Sequence, residues 1–129
     1  MANSLKDQRY LSLATQKRDA TWVWTPIWFA DAENGEFVAF SAGRAGKVKR
    51  IRNFSNVQVM ACTVSGKALG EAHQGRARLI HDPTECDAAY QALKHKYGWQ
   101  MRLLDFFSGL AGNIKRRQVI GFRIDEQLQ

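Results

Sequence analysis

The sequence is short of cysteine and proline, with two of each in 129 residues. Cys62 and Cys86 stand far apart, and no CxxC spacing occurs. A disulfide-stapled scaffold and a thiolate-held metal centre are therefore not indicated, and both residues read as reduced, small core hydrophobes. Acid is also scarce. Twelve Asp and Glu stand against 19 Lys and Arg, for a net charge of +7 and a pI near 9.8. That excess favours an anionic partner: a phosphate-bearing cofactor, an acidic small molecule or nucleic acid. Long apolar runs are missing too. The longest aromatic-apolar stretch, Trp22 to Ala30, is broken by Thr25 and Pro26 and is too short to span a bilayer. The first eight residues lack the apolar core of a secretion signal, so the expectation is a cytoplasmic protein without a membrane partner. What remains is 45% hydrophobic and 24% charged, the composition of a single folded domain over residues 1–129.

Several catalytic signatures are absent as well. Gly46-Lys47 is followed by Val48, not Ser or Thr, and no glycine lies five residues earlier, so the nucleotide-hydrolase loop is excluded. There is no GxGxxG fingerprint. His73, His81 and His95 are not at metal-ligand spacing, and no HExxH occurs. Ser12, Ser41 and Ser108 lack a nucleophile elbow, and no pair of carboxylates stands out. An enzyme built on this chain therefore needs a cofactor that brings its own chemistry.

The apolar pattern is mostly that of strands. A short helix is expected over Leu5 to Tyr10. Strands are expected at Tyr10 to Thr15, Thr21 to Ala30, Glu36 to Ser41, Asn56 to Val64, Ala68 to His81 and Gln118 to Ile124. Pro26 implies a bulge or an unpaired N–H, Asn34-Gly35 marks a hairpin turn, and Gly70 and Gly75 suggest bulges. Trp22, Trp24 and Trp28 share strand parity and fall on one face, as core, as a dimer interface or as a wall beside a planar ring. Helices are expected at Ala45 to Asn53, at Glu85 to Tyr97 capped by Asp82-Pro83-Thr84, and at Trp99 to Leu110. Six strands in mostly hairpin order with short flanking helices make a mainly β, α+β fold, a small antiparallel barrel rather than a doubly wound sheet.

Five of the nine residues from Arg44 to Arg52 are basic, directly after a strand end and a glycine turn. A helix start of this kind presents N–H groups and a positive dipole end to an anion, and Lys47 and Arg50, three apart, can grip the same phosphate. The competing reading is a solvated charged face.

The blocks Tyr10-Leu-Ser-Leu-Ala-Thr15, Thr25-Pro-Ile-Trp-Phe-Ala30, Gly46-Lys-Val-Lys-Arg-Ile-Arg-Asn53, Gly75-Arg-Ala-Arg-Leu79 and Lys96-Tyr-Gly-Trp-Gln100 occur in that order. Together they resemble the pyridoxamine 5'-phosphate oxidase-like split β-barrel family, in its deazaflavin-dependent branch. The resemblance covers nearly the whole chain. It implies a six-stranded split barrel and a homodimer holding FMN or a deazaflavin (coenzyme F-420) between the subunits. It also places Thr25, Pro26, Ile27 and Trp28 beside the cofactor ring, Phe40, Ser41 and Ala42 against ring and ribityl chain, and Lys47 and Arg50 on the phosphate. Relatives often carry a hydroxyl residue just before the Gly-Lys, where this chain has Ala45. A charge-assisted contact from Arg44 would offset that lost hydrogen bond.

Three functions follow. The first is a flavin- or deazaflavin-dependent oxidoreductase passing a hydride between cofactor and small-molecule substrate. The second is a non-catalytic cofactor-binding protein on the same fold. The third, a basic nucleic-acid-binding domain, lacks any recognisable motif.

Overall fold

The computed structural model describes residues 5, 8–32, 34–42, 46–63, 65–98 and 117–125. Its frame is one antiparallel sheet of β1 (Leu11–Gln16), β2 (Trp22–Ile27), β3 (Phe29–Asp31), β4 (Phe37–Ala42), β5 (Asn56–Ala61), β6 (His73–Ile80) and β7 (Arg117–Ile124). Neighbours run β2-β1-β5-β6-β7-β4-β3. The order starts and ends on two strands that only Trp28 separates in sequence. A sheet whose two edges belong to one interrupted strand must curl until those edges approach, which gives the barrel curvature. The six expected strands are thus seven, because the Thr21 to Ala30 stretch divides at Trp28.

Alternation sets the interior. Leu13 lies between Thr25 of β2 and Val59 of β5, and Leu11 between Ile27 and Ala61. Leu11, Leu13, Ile27, Phe29, Val57, Val59, Ile120 and Phe122 form one buried cluster, each large side chain contributing about 1.5–3 kcal/mol by leaving water. Ile27 and Phe29 both join it, so strand parity persists across Trp28. Trp22, Trp24 and Trp28 accordingly share the outer face, as their spacing predicts. The β1–β2 ladder passes through Pro26, opposite Ser12, without a bulge. β2 ends the sheet, where a missing N–H is tolerated.

Three expectations are corrected. The strand expected from Ala68 begins only at His73, with Ala68 making an isolated bridge to Cys62. Gly75 is not a bulge. It sits in regular register between Val57 and Ile124, where a Cβ would run into the carbonyl oxygen of Arg123. Close approach of neighbouring backbones, not extra length, requires glycine there. Of the helix expected at Leu5 to Tyr10, Leu5 is helical but Gln8 to Tyr10 are not, since Tyr10 already bonds across to Cys62. Trp99 to Leu110 lie outside the described residues.

Helix α1 (Gly46–Asn53) buries Val48 and Ile51 and packs against β1 and β6. It occupies the place where β5 has not yet begun. β5 reaches only as far as Arg76 of β6, and the Ala77 N–H bonds instead to the Ser55 carbonyl at 2.8 Å. Helix α2 (Pro83–Tyr97) is capped as its sequence demands. Asp82 accepts from the Glu85 N–H at 3.0 Å, proline stands in the first turn, and Gly98 ends the helix at φ 57°. Its Ala89, Leu93 and Tyr97 cover Ala30, Val38 and Ile80 on the outside of the sheet. No described helix is long and apolar enough to cross a membrane.

Tyr97 ties that layer down. Its ring stacks on Trp28 at 4.5 Å, and its hydroxyl accepts from the Phe29 N–H at 2.9 Å and lies 2.8 Å from the Arg9 carbonyl. Burial raises its pKa to about 12 from 10.0. A phenol that holds its proton longer when folded stabilises fully below pH 10, and the contribution is lost as pH rises from 10 through 12. The expected result is a stability loss of about 2–3 kcal/mol across that window, read by urea denaturation at stepped pH. Tyr97→Phe should remove that step in the pH profile. A second test concerns Ala20 in the β1–β2 hairpin, whose φ of 75° is left-handed. Ala20→Gly relieves that backbone and should raise stability by about 0.5 kcal/mol, measured as a shift in denaturation midpoint.

Candidate anion-binding site

The basic segment folds as its pattern predicts. Val48 and Ile51 anchor α1 on the barrel, which turns the positions between them outward. The first turn contains no acid, and Lys47 stands where the helix dipole is already positive. That placement costs stability in the free chain and is recovered only when an anion sits at the helix start. Burial, with a smaller contribution from Arg50, holds the Lys47 amine below the ordinary lysine range. No carboxylate pairs with Lys47 or Arg50 among the described residues. Two neighbouring cations without a carboxylate partner among the described residues, one of them half-buried, make this a candidate anion site.

Arg50 is held from the strand side. Its Nε donates to the Thr15 hydroxyl at 2.6 Å, at the end of β1. Among the described residues, Thr15, 1% exposed, supplies the side-chain oxygen that accepts from Arg50, and it is not among the site residues expected from sequence. A strand threonine and a helix arginine 35 residues apart share no local pattern, so nothing in the sequence marks the pair.

The other predicted residues fall around the barrel. Ser41 pairs with Gln118 and Phe40 with Val119 on the strand that leads toward α1. The Arg117 guanidinium lies 4.5 Å from the Phe40 ring centre. The Ala42 backbone pairs with Arg117, while Arg44 and Ala45 lie outside the described residues. Thr25 faces the interior, and its hydroxyl is buried without a hydrogen bond. Pro26 is exposed, Ile27 is core, and Trp28 is committed to Tyr97. The structure thus places Lys47 and Arg50 as neighbours on α1, near enough for Arg50 to help lower the Lys47 pKa. It puts Thr25, Pro26 and Ile27 on β2, next to β1, and Trp28 in the break before β3, with Ile27 and Trp28 in packing roles.

A separate groove of about 980 Å³ runs between α2 and β3–β4, floored by Ala30, Ala32, Ala89 and Ala92. It contains none of the predicted residues. Its buried acid, Glu36, is already taken by Arg78, with Nε–Oε2 at 2.9 Å and Nη2–Oε1 at 3.0 Å. Arg78 also reaches Glu85 at 2.7 Å, and these carboxylates hold the guanidinium well above its ordinary pKa.

No family model and no curated protein matches the sequence. Solved structures do match, and what they show is the fold, a barrel of the same shape. One is a candidate pyridoxamine 5'-phosphate oxidase from Listeria innocua, 13% identical over 97% of this chain and 90% of that one, with a TM-score of 0.67. Another is HutZ, the heme storage protein of Vibrio cholerae, 12% identical over 95% and 85%, TM-score 0.67. A third is an F-420 reductase, 18% identical over 95% and 91%, TM-score 0.60.

Proposed function

We propose that this protein is a flavin- or deazaflavin-dependent oxidoreductase that binds its cofactor's phosphate at Lys47 and Arg50. The observation that carries the reading is the uncompensated cation pair on the first turns of α1, in a barrel shaped like that of the F-420 reductase. The donor set fits a phosphate. An ammonium and a guanidinium supply charge-assisted N–H groups, and the helix start adds its dipole. When bound, the cofactor ring supplies hydride-transfer chemistry. The chain's own share is to anchor the phosphate, to offer Phe40 and Ser41 to the rest of the cofactor, and to exclude water. Arg44 would add a third cation to the grip.

The protein works as a homodimer with the cofactor at the subunit boundary. The outer face of β2 supports this, because Trp24 is 37% exposed and Pro26 beside it is open. Light scattering should give twice the 14.6 kDa chain mass, and Trp24→Asp should lower it.

The test of function is titration of the purified protein with FMN and with coenzyme F-420, followed by fluorescence. Submicromolar binding of one of them is expected, and binding of both at micromolar or weaker affinity overturns the proposal. The heme storage protein on this fold gives the competing reading, a protein that holds a cofactor without turning it over. Reduction of the bound cofactor by NADPH, or its oxidation by a nitro- or enone-bearing acceptor, separates the two.

A further inference from the structure

We infer that Thr15 is a positioning residue of the anion site, fixing the Arg50 guanidinium so that its Nη1 end lies over the start of α1. The inference rests on the phosphate reading of Lys47 and Arg50. An arginine side chain has several flexible torsions, and a free one would point its fork into solvent. Here the Nε–H is spent on Thr15 at 2.6 Å, which leaves the Nη1 and Nη2 groups as the available donors. Those groups lie back over the helix start. A Cβ built on Gly46 would stand 2.7 Å from Arg50 Nη1 and 3.5 Å from Nη2. A methyl group at position 46 would therefore displace the guanidinium end from where it now lies.

Thr15 and Gly46 act from opposite sides, one pulling the Nε edge toward the strand, the other leaving room for the fork. The result is a guanidinium with Nη1 and Nη2 unspent, held at the start of the helix that carries Lys47, a donor set suited to a terminal phosphate. Thr15 is 1% exposed, and Arg50 is the partner of its hydroxyl, so the hydroxyl has no packing role that a methyl could not fill. Removing it takes away the partner of Nε and nothing else the structure shows it bonded to. On this inference the hydroxyl serves the site more than the fold, which the melting temperature of the Thr15 variants tests.

The experiment compares FMN with riboflavin, which lacks only the phosphate, by fluorescence titration of wild type, Thr15→Val, Thr15→Ser and Gly46→Ala. Coenzyme F-420 and its phosphate-free chromophore serve as the parallel pair. In Thr15→Val the preference for the phosphorylated ligand should fall about tenfold while riboflavin affinity and melting temperature hold, and Thr15→Ser should restore it. Gly46→Ala, which favours the helix, should lose the same preference by pushing the fork away. An unchanged preference in both Thr15→Val and Gly46→Ala overturns the inference while leaving the phosphate reading intact. An equal loss of FMN and riboflavin binding in Thr15→Val, with a lowered melting temperature, also overturns it, by making Thr15 structural. A wild type that binds both ligands of each pair equally, or neither, overturns the phosphate reading and the inference with it.

Discussion

Gly75→Ala should destabilise the protein by about 3 kcal/mol or more, enough to lower its melting temperature by roughly 10 °C. The added methyl would be driven into the Arg123 carbonyl oxygen and would stand 3.5 Å from Val57 Cγ2. An oxygen that is part of a strand backbone cannot rotate aside as a side chain can. β6 would have to move away from β7, and Gly75 sits at the start of six consecutive pairs from Gly75–Ile124 to Ile80–Val119. Relief at one position strains the ladder at the next, which is why a single methyl costs so much. Differential scanning calorimetry checks the result. A loss below 1 kcal/mol would show that the barrel yields at this seam.

Lys47→Ala should weaken binding of the phosphate-bearing cofactor by about 1.5–3 kcal/mol, between roughly tenfold and 150-fold in affinity. The fold should be nearly untouched, because no described contact of the Lys47 amine holds α1, whose anchors are Val48 and Ile51. The amine is already poised for an anion, as burial and Arg50 lower its pKa. The same shift sets a pH dependence. Affinity should hold through neutral pH and fall as the amine loses its proton, at a pH below that of an ordinary lysine. Isothermal titration of FMN and of coenzyme F-420 at pH 7 and at stepped alkaline pH measures both effects. An unchanged affinity with an unfolded variant would make Lys47 structural and displace the site.

Much of the molecule is readable from the chain alone, for physical reasons that differ by element. The period-2 alternation of Leu11, Leu13 and Thr15, or Val57, Val59 and Ala61, states which face is buried, because strand side chains must alternate. The Asp82-Pro83 cap and Gly98 fix the ends of α2 because caps satisfy orphan N–H and C=O groups locally. The basic helix is equally local: its span and its buried Val48 and Ile51 follow from the pattern, and with them the placement of Lys47 and Arg50 on one helix.

What the chain alone did not disclose is non-local. Trp28 divides one predicted strand into the two edges of the curled sheet, a fact that depends on which strands end up as neighbours. Gly75 looked like a bulge because sequence records the absence of a side chain but not the carbonyl from β7 that forbids one. Thr15 looked like one more interior strand residue. Only the docking of α1 into the gap left by β5 brings its hydroxyl to Arg50, 35 residues away. Local chemistry thus determined the strands, the caps and the two cations. Tertiary packing decided how the sheet curls, why one glycine is obligatory, and what aims the arginine, since each depends on atoms that meet only when distant segments pack.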